Sequence, residues 1–99
     1  MEIKGNEGSL MSYSQGVSWI NNFTKANPNS KLNSVTYGIE TIKSIMEAPG
    51  AVGIRVYNAV NDKGEPTFVL MAVDKNGDGI QQNSTMDIGL NCPPFCGRP

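Results

Sequence analysis

The chain has 99 residues and a mass of 10.6 kDa, which is enough for one small domain. Eight cations nearly cancel nine anions, so neither charge-driven disorder nor a basic nucleic-acid surface fits. Histidine is absent, which removes imidazole-based catalysis and His–metal sites, and no apolar run approaches the ~20 residues needed to span a bilayer.

The opening segment MEIKGNEGSL carries charges and glycines where a secretory leader needs an apolar stretch, so a cytoplasmic location is expected. Residues 1–11 read as an N-terminal arm, 12–90 as a single domain and 91–99 as a Pro/Cys-rich tail. Ser12 with Gln15 has the form of a capping box. Behind it Tyr13, Val17, Ile20 and Thr24 share a stripe, flanked by Trp19 and Phe23, and Asn27-Pro28 ends the pattern. This predicts a helix over 13–26.

A second helix is predicted from Ser34 as cap, with Val35, Ile39, Ile42, Ile45 and Met46 as its apolar face. Ala48-Pro49-Gly50 stops it. In residues 51–60, Val52, Ile54 and Val56 alternate with Gly53, Arg55 and Tyr57, the period of a strand with one wet face. Residues 61–65 form a turn, and 67–74 a second strand apolar on both sides. After a further turn at 74–79, Ile80, Met86, Ile88 and Leu90 predict a short third strand across from 67–73, with the alternation at 86–90 favouring extended backbone. The expected fold is α+β: two helices packed on one face of a small antiparallel sheet, in the order α-α-β-β with that third strand added.

Three chemistries compete with bland readings. Asp74-Lys75-Asn76-Gly77-Asp78-Gly79 opens like a calcium loop, but Thr85 stands where the bidentate carboxylate belongs and a strand precedes it, so it reads as a turn. Cys92-Pro93-Pro94-Phe95-Cys96 has neither redox CxxC spacing nor four zinc ligands. In a reducing compartment two free thiols are the simpler expectation; a bridge requires a tight turn, which a cis bond before Pro94 would provide. The carboxylates are scattered over turns and polar helix faces, so no catalytic site, metal or cofactor is expected.

The segments Pro49-Gly50-Ala51-Val52-Gly53-Ile54-Arg55-Val56-Tyr57, Val73-Asp74-Lys75-Asn76-Gly77 and Cys92-Pro93-Pro94-Phe95-Cys96-Gly97 occur in order. In this the chain resembles a group of small uncharacterised bacterial proteins with a PGxxGIRxY segment, a VDxNG turn and a C-terminal CPPxCG tail. The resemblance implies a compact bacterial domain whose turn and tail go together; it carries no activity with it. The expected function is a non-enzymatic protein-interaction module of adaptor or immunity type, working through its sheet face and tail on a protein partner or a second copy of itself. Arg55, Tyr57 and Phe95 are the expected binding residues, with Cys92 and Cys96 setting the shape of the tail. The alternative is a thiol-based redox or metal-responsive protein using those two cysteines.

Overall fold

The computed structural model describes residues 1–81, 85–86 and 89–99. In chain order the elements are α1 (Tyr13–Ala26), β1 (Ser34–Thr36), α2 (Ile39–Met46), β2 (Gly53–Val60), β3 (Pro66–Val73), β4 (Thr85–Met86) and β5 (Leu90–Cys92). They form an α+β fold with two antiparallel sheets, β1–β5 and β2–β3–β4. Among the described residues no helix is long and apolar enough to cross a membrane.

α1 has the expected bounds. The Ser12 hydroxyl accepts the Gln15 N–H at 3.1 Å, and the Asn27 N–H closes the last turn onto Phe23 O at 2.9 Å. Its packing differs from expectation: α1 contains no buried residue, so of the two helices only α2 contributes to the core.

α2 begins later than predicted. Ser34 is not a helix cap; residues 34–36 extend as β1, and Gly38 is the N-cap. Val35 and Thr36 are β-branched, which favours extended backbone once a partner strand is present. That partner is β5, with Ser34 opposite Cys92 and Thr36 opposite Leu90. Leu90 therefore does not extend the strand predicted beside 67–73. Met86 does lie there, opposite Leu70, while Ile88 is outside the described residues. Residues 91 and 92, at the predicted start of the tail, belong to β5.

The core sits between α2 and one face of β2–β3. Ile45 is 1% exposed and packs with Ala48, Leu70 and Ala72, bordered by Ile42, Ile54 and Phe68. Of the predicted α2 face, Ile39 and Met46 remain exposed and Val35 belongs to β1. β3, the central strand, buries Thr67, Leu70, Ala72 and Val73. Truncating Ile45 to Ala would cost about 2–5 kcal/mol, because a core this small cannot collapse around the hole. Tyr37 joins the two sheets by donating its hydroxyl hydrogen bond to Phe68 O at 3.2 Å.

Candidate functional site

Arg55 and Tyr57 project from the same face of β2. Arg55 Nη1 donates to Gly77 O at 2.8 Å and to the Tyr57 hydroxyl at 3.3 Å. The guanidinium is half-buried and ties β2 to the 74–79 turn. The N-terminal arm comes to the same end of the sheet, with Ile3 N–H donating to Lys75 O at 2.7 Å. The expected open face is thus partly roofed by residues 1–3 and by this turn. Within the arm, Glu7 accepts from Lys4 N at 2.8 Å and Gly5 N at 2.9 Å. These backbone N–H groups, Lys4 first, hold its carboxyl below the usual glutamate range.

In the 74–79 turn, one Asp74 carboxylate oxygen accepts from Asn76 N at 2.9 Å and Asp78 N at 3.1 Å. That carboxylate is engaged in turn formation. Among the described residues no three Cys, Asp or Glu side chains gather as a metal ion requires.

Cys92 and Cys96 stand as a disulfide with a Cα–Cα separation of 4.8 Å, the bridged one of the two arrangements that the sequence leaves open. The chain doubles back here: Phe95 N–H donates to Asn91 O at 2.9 Å and Cys96 N–H to Pro94 O at 3.1 Å. The peptide bonds before Pro93 and Pro94 are both cis. β5 anchors the base of this loop, with Asn33 N–H donating to Cys92 O at 2.7 Å.

Phe95 remains exposed and lines a groove of ≈ 500 Å³ with Ile20 and Thr24 of α1, Thr36 of β1 and the terminal Pro99. Tyr13 at the start of α1 donates its hydroxyl hydrogen bond to Pro99 O. The groove contains neither Arg55 nor Tyr57, so the two halves of the expected binding surface do not share it.

The α1 surface is a feature that sequence reasoning assigned to the core. Trp19 is 60% exposed, Ile20 50% and Phe23 46%. Phe23 also lines a second groove, of ≈ 650 Å³, with Leu32, Val60, Pro66 and Phe68. An amphipathic stripe carries no mark of what covers it, so only the small capacity of the sheet hinted that this helix would stay open. Together these features define a small α+β domain with a bridged C-terminal loop beside an apolar helix face. No protein-family model, no curated protein and no solved structure matches the chain.

Proposed function

We propose that this chain is a non-enzymatic, bacterial protein-interaction module of adaptor or immunity type, acting through the apolar face of α1 and the bridged tail beside it. The observation that carries this is a 14-residue helix with no buried residue and with Trp19, Ile20 and Phe23 open to solvent. Exposed aromatic residues clustered on one element are the usual anchors of protein interfaces. The tail adds Phe95 on a loop that its disulfide and prolines hold in shape, which lowers the entropy lost on binding. Arg55 and Tyr57 stand further back in this reading, because Arg55 is committed to Gly77 O.

The test is affinity capture from host lysate with the full chain, alongside Trp19→Ser/Phe23→Ser and a form lacking residues 91–99. One stoichiometric protein retained by the full chain and lost with the folded double variant supports the reading. Equal capture by all three forms removes it.

The bridge itself favours a second reading, a thiol-based redox-responsive tail. Buried Cys92 is joined to exposed Cys96, the sulfur that a reductant would reach first. A cytoplasmic location would hold both thiols reduced, whereas an oxidising compartment would keep the bridge. Alkylation of the thiols in intact cells separates the two locations.

A further inference from the structure

Among the described residues β2 is an edge strand eight residues long. The N-terminal arm, with Gly5 close to Val52 O, guards only its start, and beyond that Arg55 is the one charge on the edge. β2 has no proline and no lysine, and its pairing with β3 runs from Gly53↔Val73 to Val60↔Pro66 without a bulge. The direction of its free groups follows from the turn. Asn61 N–H donates to Glu65 O at 2.9 Å, so residues 61 and 65 form a hydrogen-bonded pair of the ladder. Counting back by two, the odd residues of β2 point N–H and C=O at β3. The even residues Ile54, Val56, Asn58 and Val60 point theirs outward. β3 agrees, since Ala72 O faces away from β2 and accepts from Ile80 N at 2.9 Å.

We propose that this edge pairs with the same edge of a second copy of the chain, antiparallel and centred on Val56, joining two sheets into one. Parity and charge select that register. Hydrogen bonding requires even residues opposite even residues, and centring on Val56 gives 56 opposite 56 and 54 opposite 58. Val52 takes no part, because its N–H donates to Val73 O at 2.9 Å. The register uses residues 54–58, the middle of the strand. Arg55 of one copy then stands across from Tyr57 of the other, where cation and ring attract. Centring one residue earlier sets Arg55 against Arg55, and like charges directly opposite are destabilising. The side chain brought against its own copy, Val56, is exposed at 59% in the single chain. This inference does not rest on the α1 reading, and either stands if the other fails.

Sedimentation equilibrium of the full chain over a concentration series tests it, with two variants. Val56→Pro removes an outward N–H and leaves the β3 ladder intact, as proline on an edge strand does. Val56→Lys sets two cations at the two-fold axis. The wild-type mass should rise from 10.6 kDa toward twice that value, and both variants should stay at 10.6 kDa with an unchanged far-UV spectrum. A wild type that stays at 10.6 kDa throughout overturns the proposal, as does wild-type dimerisation by either folded variant. If Val56→Pro unfolds, Val56→Lys decides.

Discussion

Asn61 and Asp74 open two successive turns, and each accepts from the backbone N–H groups two and four residues on. Asn61 Oδ1 accepts from Lys63 N at 2.9 Å and Glu65 N at 2.9 Å; Asp74 Oδ1 accepts from Asn76 N at 2.9 Å and Asp78 N at 3.1 Å. Each residue's own N–H donates to the carbonyl four residues on, and a glycine three residues on takes positive φ, 78° at Gly64 and 83° at Gly77. One turn design thus ends both β2 and β3. What the motif needs is a short side chain with an acceptor oxygen, whether charged or neutral. Asn61→Ala and Asp74→Ala should each lose about 1–2 kcal/mol by urea denaturation, the net worth of two hydrogen bonds. Asp74→Asn should stay within about 0.5 kcal/mol of wild type. Asn61→Asp should cost about 1 kcal/mol, because it loses the Asn61 Nδ2 bond to Glu65 Oε1 at 3.2 Å and sets two carboxylates together.

Gly89 marks the closest approach in the second sheet. A β-carbon there would lie 2.6 Å from Val35 Cγ1 and 2.7 Å from the Thr36 carbonyl oxygen. The Thr36 contact is with backbone, so a side chain cannot swing aside to relieve it. Gly89→Ala should therefore cost about 2 kcal/mol or more and loosen β1 from β5. Faster amide exchange at residues 34–36 is the direct readout. By contrast Gly97→Ala meets nothing within 4 Å and should be neutral.

What the sequence makes legible is local. The Ser12 cap and the Asn27-Pro28 stop delimit α1 to the residue, and the 61–65 turn between an alternating run and a continuously apolar one announces β2 and β3. β1 and β5 are three residues each and are defined by a pairing across more than fifty residues, which no local period reports. The same holds for Arg55, whose partner Gly77 lies 22 residues away. Of the candidate site, Phe95 and the two cysteines are legible as parts of a proline-stiffened tail, with two free thiols as the simpler expectation. Their placement beside α1 was not, because it depends on β5 anchoring the tail next to β1.

If Arg55 braces the 74–79 turn, its loss is felt in stability. Arg55→Ala should lower the unfolding free energy by about 1 kcal/mol, a charge-assisted bond discounted for partial exposure. Tyr57→Phe removes only the weaker contact at 3.3 Å and should change stability by less than about 0.5 kcal/mol. A full retention of stability in Arg55→Ala would return that side chain to the list of free binding groups.

Glu7 makes the arm sensitive to acid. Its carboxyl is held below its ordinary value by the Lys4 and Gly5 amides, so the folded arm favours the ionised form. The ordering it supplies is therefore present above the unfolded carboxyl's pKa and is lost as pH falls through the lower, folded value. Amide shifts of Lys4 and Gly5, followed by NMR from neutral pH into the acid range, should move together with the Glu7 side chain. In Glu7→Gln that transition should vanish.

The bridged tail gives the last and most discriminating prediction. Closing a loop this short by a disulfide contributes on the order of 2 kcal/mol in the chain-entropy view, about 10 °C in Tm for a domain of this size. Cys96→Ser should lose that amount, because Cys96 is exposed and contributes little beyond the bridge. Cys92→Ser should lose more, since Cys92 is 8% exposed and a hydroxyl there must be buried at the end of β5. Reductant should bring the wild type down to the Tm of Cys96→Ser and leave that variant unchanged. A wild type indifferent to reductant would mean that β5 and its bond from Asn33 hold the tail without the bridge.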